Sequence, residues 1–152
     1  MSKKIVVVSG GFDPIHVGHL RMMKEAAEYG NLIVIINSDS WLKRKKEYVF
    51  MPWQERAEII SALSCVTGVI EAKDADDSVC ETLKELKPDI FANGGDRIKL
   101  NTPESNLCEE LGIELKWNVG GDKIRSSSRI IRDATNRKRI LDHNRYRKET
   151  AY

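Results

Sequence analysis

Strand-length runs of β-branched residues alternate along this 152-residue chain with segments of helical period. That alternation predicts an α/β fold with a doubly wound parallel sheet of about five strands. Two details support it. Ile5–Val8 and Leu32–Ile36 are apolar at every position, as in strands covered on both faces. Between them Leu20, Met23, Ala26 and Ala27 recur at helical spacing, and Gly30 stops that helix.

The remaining elements follow in order. Pro52 opens a helix at a position that suits its missing N–H, and Trp53, Ala57, Ile60 and Leu63 give that helix an apolar face. Val66 to Ala72 reads as the third strand. Val79, Leu83 and Leu86 mark a helix that must end before Pro88. Asp89 to Asn93 is the fourth strand, Pro103 to Leu111 a short helix, and Ile113 to Val119 the fifth strand. A last helix starts at Ser126–Ser128, whose hydroxyls can cap its open amides. In such sheets ligands bind beyond the carboxyl ends of the strands, which directs attention to loops 9–19, 37–51 and 93–102.

With 41% hydrophobic and 32% charged residues the composition is that of a globular chain, and no apolar run approaches bilayer length. The N-terminal Met-Ser-Lys-Lys-Ile leads straight into a strand, so no signal peptide is expected. Cys65, Cys80 and Cys108 are widely spaced without a CxxC, which predicts reduced thiols and a cytoplasmic protein. A net charge of +2 is too small to argue for nucleic acid. Only the end of the chain changes in composition, giving an expected division into a domain at 1–132 and a basic helical extension at 133–152.

The chemistry is concentrated in the first loop. Gly10-Gly11-Phe12-Asp13-Pro14-Ile15-His16-Val17-Gly18-His19 follows a strand and opens a helix. Paired glycines let backbone approach a ligand where a Cβ would collide. A helix start supplies oriented N–H groups and positive potential, which suit a phosphate. His16 and His19 are three apart, so they share one face of the first turn, and Gly18 between them leaves room for a ligand. Two imidazoles converging there could donate hydrogen bonds to a crowded phosphoryl transition state.

GGFDPIHVGHL resembles the signature of the HxGH nucleotidyltransferase superfamily, which class I aminoacyl-tRNA synthetases share more distantly. From about Lys4 to Ile131 the sequence is most similar to two small branches, the glycerol-3-phosphate cytidylyltransferases and the heptose-phosphate adenylyltransferase domains. The resemblance implies a Rossmann-like fold and transfer of CMP or AMP from CTP or ATP to a small phosphorylated acceptor such as a sugar or polyol phosphate. Mg²⁺ would come with the NTP, since nothing in the sequence fixes a metal site, and a homodimer is common in these families.

By the same resemblance His16 and His19 contact the NTP phosphates, and Gly10, Gly11, Phe12, Asp13 and Gly18 surround the nucleotide. Asp39 stands at the mouth of the site. Lys46 or Lys45 supplies the loop lysine that reaches the triphosphate, and Arg56 the arginine of the next helix. Gly94, Gly95 and Asp96 match a glycine turn around the nucleotide, although Asn93 stands where lysine is usual. Ser126, Ser127 and Ser128 match the closing hydroxyl cluster, with Arg125 in place of an arginine that the cytidylyltransferase branch carries earlier. Other readings share some of these residues: transfer to phosphopantetheine or nicotinamide mononucleotide, or a nucleotide- or RNA-binding module without turnover.

Overall fold

A computed structural model describes residues 3–95, 98–121 and 125–150. The expected alternation is present: β1 (Ile5–Gly10), α1 (Val17–Ala26), β2 (Asn31–Ile36), α2 (Asp39–Lys46), α3 (Trp53–Ser61), β3 (Gly68–Glu71), α4 (Cys80–Leu86), β4 (Ile90–Ala92), α5 (Pro103–Leu111), β5 (Glu114–Lys116) and α6 (Ser127–Thr150). The five strands are parallel, in the order β3-β2-β1-β4-β5. The chain winds outward from β1 to β3, then crosses back to lay β4 on the other side of β1. The reversal in strand order therefore falls between β1 and β4, where such sheets open a crevice.

Burial explains why the first strands are continuously apolar. Val6 and Val8 point into a core with Met23 and Ala26 of α1 and Ala57 and Ile60 of α3. Val7 and Ile35 point to the opposite face, against Leu83 of α4 and Leu107 and Cys108 of α5. Period-two alternation thus serves two cores, and both faces exclude water.

Several boundaries are tighter than the sequence suggests. The third strand begins at Gly68 because Val66 N–H still donates to Leu63 O, closing the end of α3. The fifth ends at Lys116 because the chain turns at Asn118, where φ is +55°. The expected loop at 37–51 contains a helix, α2, which Ser38 caps by accepting Trp41 N–H. Its single buried residue, Leu42, leaves no apolar period to read. The last helix runs unbroken past position 132, and its residues 132–142 are exposed. Among the described residues no helix is long and apolar enough to cross a membrane.

Candidate active site

The C-terminal end of β1 leads into a turn that delivers two histidines to the first turn of α1. His16 is the N-cap, and its Nδ1 accepts the Gly18 N–H at 3.1 Å. His19 lies three residues on, and its Nδ1 accepts the His16 N–H at 3.2 Å. The imidazoles therefore play the reciprocal parts that Ser and Glu play in a capping box. They stack, with centroids 3.7 Å apart and planes 22° from parallel. The Phe12 ring meets His19 edge-on at 4.9 Å and 84°. Because each Nδ1 accepts a backbone N–H, the ring hydrogen of the neutral imidazole sits on Nε2. Each ring is thus a donor through Nε2, held in place by the backbone of a helix N-terminus.

Around these rings lies a cleft of about 820 Å³. Of the expected residues it brings together Gly10, Gly11, Phe12, Asp13, His16, Gly18, His19, Lys46, Gly94, Gly95, Arg125, Ser126, Ser127 and Ser128. Asp96 lies outside the described residues. The serines divide their tasks. Ser126 Oγ accepts the Arg129 N–H and caps α6, while Ser127 Oγ donates to Pro14 O at 2.6 Å and ties α6 to the histidine turn. Ser128 Oγ is 3.5 Å from Lys46 Nζ, so α2 and α6 meet across the mouth of the cleft.

Three of the expected residues make bonds within the protein and do not line the cleft. Arg56 is buried at 1% exposure. Its guanidinium donates to Met51 O, Gly11 O and Asn37 O, and to Asp39 Oδ1 at 2.6 Å. It joins three loops and does not face the cleft. Asp39 is held by that bond and by the Trp53 N–H, which it caps at the start of α3. Lys45 pairs with Asp77 at 3.4 Å, outside the cleft, beside the Arg44–Asp77 pair at 3.1 Å. The Arg44 hydrogen bond holds the Asp77 carboxyl below the ordinary carboxylate range, with Lys45 adding to the effect. Of the two lysines the sequence left open, only Lys46 lines the cleft.

Asp13 lines the cleft but is 7% exposed, and its two oxygens accept the Phe50 and Met51 N–H groups. It fastens the segment after α2 to the histidine turn. Among the described residues no group of three or more His, Cys, Asp or Glu could hold a metal ion.

The sequence reading missed the far wall: Met22, Val119, Gly120 and Gly121, with Ser9, Trp41, Tyr48 and Lys99. Gly120 has φ +88°, and a Cβ there would stand 2.7 Å from Met22 Cα. Glu25 accepts the Gly120 N–H and fixes this close approach. A Gly-Gly pair between a strand and a serine cluster was the available signal, but only the fold sets it against α1.

A doubly wound sheet with a helix N-terminus at its switch point is the architecture of nucleotide-binding α/β proteins. Residues 7–134 match the family described as cytidylyltransferase-like, and the chain belongs to that family. It is 36% identical over 145 residues to the bifunctional protein HldE of Syntrophotalea carbinolica, covering 92% of this chain and 27% of that one. The chain thus spans about a quarter of the length of the HldE proteins it matches. It is 38% identical over 113 residues to the FAD synthase of Pyrococcus horikoshii, covering 73% of this chain and 71% of that one. Among solved structures it is similar to the lipopolysaccharide core biosynthesis protein of Thermoplasma volcanium, with 29% identity and a TM-score of 0.62, over 75% of this chain and 93% of that one.

Proposed function

We propose that this protein transfers AMP from ATP to a small phosphate monoester, of the sugar- or polyol-phosphate kind, and releases pyrophosphate. The observation that carries the reading is the pair of backbone-held imidazoles, each a donor through Nε2, at the opening of α1. Adenylyl transfer is favoured over cytidylyl transfer by the relative named FAD synthase, whose product contains adenine.

A phosphate monoester is largely anionic near neutral pH, so its oxygen attacks the α-phosphorus directly and no strong general base is needed. A new P–O bond forms as the bond from the α-phosphorus to its β-bridging oxygen breaks, and the electron pair leaves with pyrophosphate. The protein's part is then positioning and stabilisation of charge. His16 and His19 donate to the α-phosphate oxygens as they crowd the five-coordinate phosphorus. Lys46 and the α6 N-terminus, with Arg125 beside it, face the charge that accumulates on pyrophosphate. Mg²⁺ would be carried in on the triphosphate and held mainly by substrate oxygens and water.

The test is pyrophosphate release from MgATP and MgCTP with a panel of phosphate monoesters, including phosphopantetheine and nicotinamide mononucleotide. The expected result is turnover with ATP, lowered by about 10²–10³ in kcat when either histidine becomes alanine. A double His16→Ala, His19→Ala variant with unchanged turnover would sink the proposal. So would a pure protein that binds ATP but releases no pyrophosphate with any acceptor; salt-sensitive RNA affinity in that protein would favour a binding module.

A further inference from the structure

Helix α2 carries Lys46 to the triphosphate cleft, yet little in its own sequence holds it there. It has 8 residues, of which Leu42 alone is buried, and a helix so short is marginal without outside contacts. Its last turn holds Lys43, Arg44, Lys45 and Lys46, like charges that repel one another. The segment 74–77, between β3 and α4, answers both weaknesses. At the start of α2 the Asp74 carboxylate accepts from the Asn37 amide at 3.1 Å, the Ser38 N–H at 2.9 Å and the Ser38 hydroxyl at 2.6 Å, and Ser38 in turn caps the helix. At its end Asp77 accepts from Arg44 Nε on one carboxylate oxygen at 3.1 Å and pairs with Lys45 Nζ through the other at 3.4 Å. Arg44 also donates to Asp74 O at 2.8 Å, an oxygen that accepts the Asp77 N–H as well. Lys46 follows about 100° further round the helix, where it lines the cleft and meets Ser128 of α6.

We propose that Asp77 is a positioning residue: by holding Arg44 and Lys45 together it fixes the last turn of α2 and so aims Lys46 at the triphosphate. The role of Lys46 rests on the nucleotidyltransferase reading; Asp77 touches no substrate and acts through that lysine. The Arg44 and Asp77 side chains are 41% and 43% exposed, and exposed ion pairs contribute little to global stability. Their effect is local. They restrain a short helix with one buried side chain, the kind of segment that opens independently of the rest of a domain. Lysine needs such restraint, because its ammonium is a point charge on a flexible stem. It stabilises pyrophosphate only when it already stands where the negative charge develops. The backbone supplies clean variants. Asp77 has φ +65°, which asparagine and glycine tolerate better than most residues, so Asp77→Asn and Asp77→Gly remove the charge without straining the turn.

The experiment is a double-mutant cycle between Asp77→Gly and Lys46→Ala in the intact protein, read as kcat/KM for MgATP by pyrophosphate release. Asp77→Gly should lower kcat/KM by about 5–10-fold and Asp77→Asn, which keeps one oxygen for Arg44, by about 2–3-fold. Both should melt within about 3 °C of wild type. In the Lys46→Ala background Asp77→Gly should cost less than about twofold. The cycle is needed because Asp77 also lines a second, smaller cleft of about 290 Å³ between α2 and α5, with Lys99, Glu104 and Trp117. A direct role there would persist without Lys46. A further readout needs no turnover. Trypsin cuts after lysine and arginine, so cleavage within 43–46, mapped by mass spectrometry, reports the opening of α2. Asp77→Gly should speed that cleavage by about tenfold and leave cleavage elsewhere unchanged.

Losses that multiply in the double variant would overturn the proposal, because they would place the effect of Asp77 somewhere other than Lys46. Unchanged kcat/KM in Asp77→Gly, or unchanged cleavage within 43–46, would overturn it as well. If no acceptor releases pyrophosphate from the wild-type protein, the functional reading fails, and the same cycle is read from the Kd for MgATP by calorimetry. Weaker binding in Asp77→Gly that disappears in the Lys46→Ala background, with faster cleavage of α2, upholds the positioning role. Additive weakening, no weakening or no binding of MgATP at all refutes it.

Discussion

Replacing Arg56 by leucine separates a structural role from a ligand contact. The guanidinium is fully buried and donates to three carbonyl oxygens and to Asp39, so the substitution removes four hydrogen bonds together. Asp39 is 41% exposed and regains water, so its ion pair adds little to the cost. The carbonyls of Gly11, Met51 and Asn37 are the larger loss, since a buried acceptor left without a donor costs about 1–3 kcal/mol. With partial rehydration from the cleft the total is about 3–5 kcal/mol, in line with removal of one partner from a buried pair. That is a large share of the roughly 5–15 kcal/mol that holds a domain folded. For a chain of this size it corresponds to a fall in Tm of about 10 °C. Scanning calorimetry measures it, and Arg56→Lys should recover only part, because one ammonium cannot span the same acceptors. A Tm within about 3 °C of wild type, with the KM for ATP raised tenfold or more, would refute the reasoning and return Arg56 to the nucleotide.

The neighbouring lysines make a matched pair: Lys46→Ala should lower kcat/KM by about 10–100-fold, while Lys45→Ala, already paired with Asp77 outside the cleft, should change it by less than about threefold. Steady-state pyrophosphate release distinguishes them, and equal losses would contradict the assignment. Gly120→Ala forces a side chain onto φ +88° and into Met22, so it should destabilise by about 2 kcal/mol or more and weaken ATP binding, read by denaturant titration and calorimetry. Burial pushes the Cys108 thiol up to about 11, so its reactive thiolate is scarce below that pH and grows only as pH rises toward it. Native-state alkylation at pH 8 followed by peptide mapping should therefore label the part-exposed Cys65 and Cys80 well before Cys108.

Much of the site was legible because its signal is local. A strand, a glycine turn and two histidines three apart fix the first turn of α1 through bonds that span only a few residues. The same holds for Ser126, whose capping of α6 needs only its own helix start. Arg56 was different: a charged residue in the first half of a helix gives no sign of whether it faces a ligand or three carbonyls from other loops. Nor could local order separate Lys45 from Lys46, since adjacent helical positions point about 100° apart and only the approach of the loop before α4 decides which one meets Asp77. Trp117, Lys99 and Glu104 carried no motif at all.

The sequence by itself determined the alternation of strands and helices, the doubly buried character of β1 and β2, and the presentation of His16 and His19, because these depend on periodicity and on contacts within one or two turns. Tertiary structure alone decided the crossing from β3 to β4, which opens the crevice beside β1. It also decided the burial of Arg56, the contact of Gly120 with Met22 and the second cleft between α2 and α5. Each of these joins segments tens of residues apart, and their meeting is set by how two cores pack on opposite faces of one sheet.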